Sequence, residues 1–217
     1  MNKIIILLSL IVIGLGFGQS SEVESASVFN FLVGLKTGTN YDVAHSLNED
    51  TRRWDGLGYN IGLEFETNFK NIIDLAVGCS YLRTAYTYKI LGSSWGEDST
   101  YFYNNLYMPI VVKLVLKIGQ RVHPFVKIGA AGVFELSGKI KGWIEPAPFD
   151  IKIDSLVNNY CFLTGLGTDI QISSKLKLKP VFTYQRHLNI WAADTPYDIK
   201  KSFDCLFTVG VFYSVVL

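Results

Sequence analysis

The chain has 217 residues, with 20 lysines and arginines against 19 acidic residues, so its formal net charge is +1. This balance provides no basic field for nucleic acid, and we expect no nucleic-acid partner. Cys79, Cys161 and Cys205 form no CxxC pair and have no histidine at metal-ligand spacing, so the sequence predicts no metal and no other cofactor. We expect three unpaired thiols, with one disulfide plus a free thiol as the alternative.

The first 18 residues have the pattern of a secretory signal peptide. A single lysine precedes an apolar run over residues 4–17, and Gly16 and Gly18 suit a cut before Gln19. The alternative is a membrane anchor, but a span needs about 20 residues and this run is shorter. The remaining chain is predicted to be one domain, residues 19–217, without a transmembrane helix.

Alternation of apolar and polar residues predicts eight β-strands in that domain. In "GYNIGLEFETN", for example, Tyr59, Ile61 and Leu63 fall on one face, and the intervening polar residues fall on the other. The predicted strands are residues 28–39, 58–68, 72–90, 101–118, 124–141, 159–172, 176–189 and 202–217. Long connections at 40–57, 91–100, 142–158 and 190–201 alternate with short turns at 68–71, 119–123 and 173–175.

This order of long and short connections is typical of an up-and-down barrel whose two rims face different compartments. The predicted fold is therefore all-β, an eight-stranded antiparallel up-and-down transmembrane β-barrel. A soluble barrel has the same alternation with the apolar face inside, so a soluble lipocalin-like binder of small apolar ligands is the alternative.

The polar face of the strands is predicted to line a narrow lumen. Glycines and alanines alternate with single charges on that face, and small residues suit the crowded interior of an eight-stranded barrel. The acidic and basic residues nearly cancel, as a closed polar interior requires. The predicted lumen-lining polar residues are Asn30, Lys36, Glu64, Glu66, Asp74, Lys113, Lys127, Glu135, Asp169, Gln171, Lys177 and Lys179.

Aromatic residues gather at the strand ends near the long connections and predict an interfacial girdle. Arg83 and Arg186 have the outward parity and are expected close to the same rim. The predicted girdle residues are Tyr41, Trp54, Tyr59, Tyr86, Tyr88, Tyr101, Tyr103, Trp143, Tyr160 and Trp191.

Residues 107–132, "YMPIVVKLVLKIGQRVHPFVKIGAAG", resemble the strand–turn–strand core of the outer-membrane β-barrel family that includes PorT-like proteins of Bacteroidetes. The matching positions are Pro109, Lys113, Pro124, Phe125 and Gly129. The last strand, "CLFTVGVFYSVVL", resembles the final strand of OmpA-like eight-stranded barrels, although it ends in leucine instead of phenylalanine. The resemblance implies the outer membrane of a Gram-negative bacterium, with membrane lipid and the barrel assembly machinery as partners. It also implies, as an alternative function, a component of a protein secretion machinery.

No catalytic constellation stands out, and we expect no enzymatic activity. His45 and His123 fall in predicted connections, and inward-pointing His187 could meet Ser202 without forming a recognisable nucleophile motif. A lipid-modifying barrel enzyme is the alternative. The predicted role is structural, adhesive or surface-interacting, carried by four long extracellular loops with an extracellular or periplasmic protein partner, around a filled lumen that is not an open pore.

Overall fold

The computed structural model describes residues 30–46, 53–69, 72–89, 98–144, 147–153, 158–188 and 199–216. The predicted signal peptide and parts of the four predicted long connections, at 47–52, 91–97, 145–146, 154–157 and 190–198, lie outside these ranges. The strands are β1 (Asn30–Ser46), β2 (Arg53–Phe69), β3 (Ile73–Lys89), β4 (Asp98–Val115), β5 (Val122–Ile144), β6 (Ala147–Ile153), β7 (Asn158–Gln171), β8 (Leu176–Leu188) and β9 (Ile199–Val216).

Eight of these strands form a closed antiparallel ring. β1 pairs with β2 on one side and with β9 on the other, and β4 pairs with β5, which joins the two halves of the sheet. β5 pairs in turn with β7, and β7 and β8 lead back to β9. The predicted eight-stranded antiparallel barrel is therefore confirmed. Within the described ranges, no helix has the length and apolarity to cross a membrane.

We call the barrel end that carries the short connections the turn end, and the opposite end the loop end. The turn end holds the connections after β2, β4 and β7, and the first and last strands of the ring meet there, with Asn30 opposite Val216. In the turn before β8, the Ser173 hydroxyl accepts hydrogen bonds from the backbone N–H groups of Lys175 (3.4 Å) and Leu176 (3.2 Å). A serine that satisfies two backbone donors in this way explains why the predicted three-residue turn suffices.

The predicted connection at 40–57 is mostly strand, which corrects the sequence-based bounds. β1 continues to Ser46 and β2 starts at Arg53. The stretch looked like a loop because it is polar, but Asn40 and Asp42 are buried inside the barrel at 1% and 0% exposure. In a barrel with a polar lumen, polarity alone does not mark the end of a strand.

The predicted connection at 142–158 contains a ninth strand. β5 runs for 23 residues, and β6 folds back on its last part, from Gly138 opposite Ile153 to Ile144 opposite Ala147. β7 pairs only with the earlier part of β5, from Val122 to Phe134. β6 therefore lies outside the ring and lengthens the barrel wall at the loop end.

The two faces of the ring differ sharply in chemistry. Each ring strand turns apolar side chains outward, and many of them, such as Leu35 (56%) and Val112 (41%), are strongly exposed. The inward face holds charged and polar side chains together with packed Phe125, Leu163 and Phe212. We call this outward apolar surface of the ring the belt. It includes one residue from each ring strand in the following set: Leu35, Leu63, Val77, Val112, Ile128, Leu166, Phe182 and Val211.

The predicted aromatic girdle is partly wrong. Tyr41, Tyr59 and Tyr160 point outward, as expected. Tyr103 lies opposite buried Thr84, and Tyr86 is two residues further along the same strand face, so both rings belong to the lumen side. They contact each other edge to face, with ring centroids 6.2 Å apart. The alternation of side chains along β3 and β4 in the sequence already places Tyr86 and Tyr103 on the inward face. The side chains of Trp54, Tyr88, Trp143 and Trp191 lie outside what the structure describes.

Candidate functional site

The structure places the predicted lumen residues on the inward face, apart from Asn30, whose side chain is not among those described. Fully buried are Glu64, Glu66, Asp74, Lys113, Asp169 and Lys179. Partly buried are Lys36, Lys127, Glu135, Gln171 and Lys177.

Four of these residues form a continuous set of ion pairs across β1, β2 and β4. Lys36 Nζ lies 2.5 Å from Glu64 Oε2, and Lys113 Nζ lies 2.9 Å from Glu64 Oε1. Lys113 also donates to Glu66 Oε2. Both oxygens of Glu64 thus accept from a different lysine, and Lys113 connects the two glutamates.

The set continues across the lumen to β7 and β8. Lys179 Nζ lies 2.5 Å from Glu66 Oε1 and 3.2 Å from Asp169 Oδ2. Lys177 reaches the same Asp169 oxygen at 3.7 Å. We call the whole set the lumen ladder: Lys36, Glu64, Lys113, Glu66, Lys179, Asp169 and Lys177.

Two phenylalanine rings pack against the ladder. Lys179 Nζ lies 4.5 Å from the ring centroid of Phe212, and Lys113 Nζ lies 5.2 Å from that of Phe125. A cation over an aromatic face is attracted to the ring, and more strongly when both are desolvated. The rings therefore exclude water from the ladder while still contributing favourable interactions to its lysines.

Small residues make room for these rings. A Cβ on Gly34 would lie 2.4 Å from Cδ1 of Phe212, which is closer than a real Cβ contact allows. We expect Gly34→Ala to lower the free energy of unfolding by about 1–3 kcal/mol through overpacking, although glycine-to-alanine changes in strands ordinarily stabilise. Gly119→Ala is the matched control, because no atom of the described residues, its chain neighbours aside, lies within 4 Å of its Cβ position.

The Gly34 expectation is measured by denaturant unfolding of both variants. The control should change stability by less than about 0.5 kcal/mol. Equal stability of the two variants would mean that Phe212 moves without cost, and would contradict the packing described here.

One group of carboxylates in the lumen has the spacing of a metal site. One oxygen each from Glu66, Asp74 and Asp169 lie within 4.8 Å of one another, and all three residues are buried. Lys179 lies against Glu66 and Asp169, so an ammonium already supplies positive charge there. The donor set is thus satisfied by the chain itself, and we assign no metal to it.

A second polar group lies nearer the loop end, and we call it the loop-end cluster: Asn40, Asp42, Gln185, His187 and Asp204. Asn40 Nδ2 donates to both oxygens of Asp42, at 2.8 and 2.7 Å. Gln185 Nε2 donates to Asp204 Oδ2 at 2.6 Å, and His187 Nε2 lies 2.6 Å from the same oxygen. Asp42 and Asp204 are directly opposite each other in the β1–β9 register.

His187 is engaged at both ring nitrogens. Its Nδ1 lies 3.2 Å from the side-chain amide of Asn159, while Nε2 contacts Asp204. The thiol of Cys161 is fully buried and donates to Gln185 Oε1 at 3.8 Å. A nucleophile needs a base within hydrogen-bond reach, and both nitrogens of this histidine already have other partners. The arrangement therefore orients Asp204 and does not form a nucleophile–base pair.

The loop-end cluster was only partly found from the sequence. His187 was expected to point inward near the outer rim, and it does. Asn40 and Asp42 were missed because they were assigned to a loop. The alternation of "NYDV" with the preceding strand was the signal that could have placed them inside. All three cysteines are free thiols, as predicted, with Cys161 inside and Cys79 exposed on the outward face.

Comparison with known proteins yields solved structures only. No protein-family model matches the chain, and no curated protein matches it. OprG from Pseudomonas aeruginosa is 11% identical, with 88% of this chain and 97% of that chain covered at a TM-score of 0.48. Neisserial surface protein A is 11% identical, with 84% and 96% covered at 0.45. The attachment invasion locus protein of Yersinia pestis is 12% identical, with 85% and 98% covered at 0.41.

At such low identities and TM-scores, these similarities support no inference about function. The fold rests on the strand pairing described above. The resemblance of residues 107–132 to PorT-like proteins stays a hypothesis.

Proposed function

We propose that this chain is a membrane-embedded barrel of a Gram-negative outer membrane, with a filled lumen and a structural or surface-interaction role at its loop end. The observation that carries the proposal is the inversion of the usual side-chain distribution. Charged groups such as Lys179 and Glu66 are buried inside, while Leu63 and Leu166 are 47% and 61% exposed outside.

The outward belt supports lipid as the surrounding solvent. Soluble monomers rarely expose contiguous apolar patches larger than a few hundred Å². Here outward apolar residues neighbour one another across strand after strand, as with Leu35 opposite both Leu63 and Val211. Closed barrels are also one of the two structures that satisfy all backbone hydrogen bonds within a bilayer.

The lumen argues against a soluble binder of apolar ligands. Such a binder needs an apolar interior with room for the ligand, and pockets for small molecules measure roughly 300–1,000 Å³. In this barrel the lumen ladder, Phe125 and Phe212 fill the turn-end half. The same packing supports a lumen that does not conduct solutes as an open pore.

The loop end supports the interaction role. A membrane-spanning strand needs about 9–11 residues, whereas β5 has 23 and β4 has 18. The additional residues of β4 and β5, together with β6, extend the barrel wall beyond the apolar belt at the loop end. We infer that this projecting wall and its connections contact an extracellular protein or surface ligand, and that the belt contacts membrane lipid.

Heat-modifiable electrophoretic mobility tests the membrane proposal. Membrane-fraction protein is run in detergent with and without boiling, and a closed membrane barrel should migrate differently before and after unfolding. We expect a shift and recovery from the outer-membrane fraction. A soluble periplasmic product without a shift would overturn the proposal.

Labelling of Cys79 gives an independent prediction. Cys79 lies in the belt opposite Leu63, so in lipid nanodiscs a charged maleimide should fail to modify it. A cysteine introduced by Gly119→Cys in the exposed turn should react readily and serves as the control. Both labelling experiments use a Cys205→Ser background, because Cys205 is the other partly exposed thiol. Equal rates at the two positions would place the belt in water.

A further inference from the structure

A small cavity in the lumen adjoins the lumen ladder on its loop-end side. Its open space is about 20 Å³, more than the roughly 10–15 Å³ that one water needs. Lys36 and Glu64 of the ladder line it together with Asn60, which lies on β2 four residues nearer the loop end than Glu64. The other lining side chains with hydroxyl or ammonium groups are Ser80, Tyr107, Lys127, Thr183 and Thr208.

One buried donor in the cavity wall lacks a partner. The Asn60 side chain is 3% exposed, and its Nδ2 has no hydrogen-bond partner in the described part of the chain. The carboxylate of Glu64 is the acidic group in the wall, and its two oxygens already accept from Lys36 and Lys113. A buried donor without an acceptor is costly, so the wall is built to receive an acceptor.

Lys127 adds a further amine to the cavity wall. Among the described residues, no carboxylate oxygen lies within ion-pair distance of its ammonium group, although it lines the same cavity. It also lies directly opposite Lys113 in the β4–β5 register, and like charges opposite each other destabilise a sheet. Among the described residues, the turn-end half of the lumen holds five lysines and four carboxylates: Lys36, Lys113, Lys127, Lys177, Lys179, Glu64, Glu66, Asp74 and Asp169.

We propose that this cavity binds one small monovalent anion of the chloride type, held by Lys127 and the Asn60 amide. The small free space favours an atom-sized occupant over a polyatomic organic anion. A water molecule in the same place would accept from Asn60, but Lys127 could then keep its proton only as an uncompensated buried charge, which is expensive. A halide supplies both the acceptor and the charge.

Chloride-35 NMR line broadening on the folded full-length barrel in detergent micelles tests the proposal. Chloride that exchanges with a protein site relaxes faster, so we expect broadening that added bromide displaces. Lys127→Met should lose this broadening. Lys141→Met, at an exposed position of the same strand, should retain it. Broadening that survives in Lys127→Met would assign chloride to the surface and overturn the proposal.

Stability of the unmodified protein gives a second measurement that does not need the variant to fold. Chloride should raise the denaturation midpoint relative to gluconate at equal ionic strength, because gluconate is too large for the cavity. Where Lys127→Met folds, its midpoint should be the same in both salts. Equal midpoints for the unmodified protein in the two salts would mean that the cavity holds water, and the proposal would fail.

Discussion

Replacing Glu66 by alanine is expected to lower the free energy of unfolding by about 3–5 kcal/mol, the usual cost of removing one partner from a buried ion pair. Glu66 accepts from both Lys113 and Lys179, and its side chain is 1% exposed. Alanine would leave two lysines with fewer buried partners. The measurement is urea unfolding of the barrel refolded into lipid vesicles.

Asp150→Ala is the matched control for Glu66→Ala. Asp150 forms a 2.6 Å ion pair with Lys139, but both side chains are close to half exposed. Solvent screening limits such a pair to about 0–1 kcal/mol. A combined Glu66→Ala and Lys179→Met variant should recover part of the loss, since it removes one of the two lysines left behind. Similar losses for Glu66→Ala and Asp150→Ala would show that the ladder is hydrated and contributes little.

Introducing arginine into the middle of the outward belt is expected to be nearly as damaging. Leu63→Arg should cost about 2–4 kcal/mol if that surface contacts the centre of a bilayer. On a soluble protein the same change at a 47% exposed position would be almost neutral. The stability of the variant in vesicles therefore separates the two environments through a single side chain.

Leu57→Arg is the control for position along the strand. Leu57 is on the same outward face of β2, six residues nearer the loop end, and is 72% exposed. The cost of arginine falls to about 0–1 kcal/mol near the membrane interface. A large loss at Leu63 with a small one at Leu57 would mark the depth of the belt. Neutral results at both positions would contradict membrane embedding.

Much of the architecture was accessible from the sequence because strand periodicity is local. Each strand of the ring was found, and parity alone pointed Lys113 and Glu64 to the same face. What sequence could not supply was pairing across the lumen. Which lysine meets Glu66 depends on the stagger of β2, β4 and β8 around the ring, and no local pattern encodes it.

The errors have a common physical origin. Asn40 and Asp42 were placed in a loop, and Tyr86 and Tyr103 in an interfacial girdle, because polar residues and tyrosines were assumed to prefer water or headgroups. Inside a barrel with a polar lumen, the same side chains find partners in the wall. β6 was missed for a different reason: its pairing with β5 begins beyond the point where β7 stops, and flanking turn residues marked the segment as a loop.

The lumen ladder also bears on how the ring reaches one register. Glu66 and Lys179 are 113 residues apart and belong to β2 and β8, so their contact forms only when strands from both halves of the chain are in place. A strand that slips by one residue reverses both of its faces. For β8, such a slip would turn Lys179 into the apolar belt and leave Glu66 short of a partner. The ladder therefore penalises misaligned barrels at the moment of closure, when backbone hydrogen bonding alone would accept several alignments.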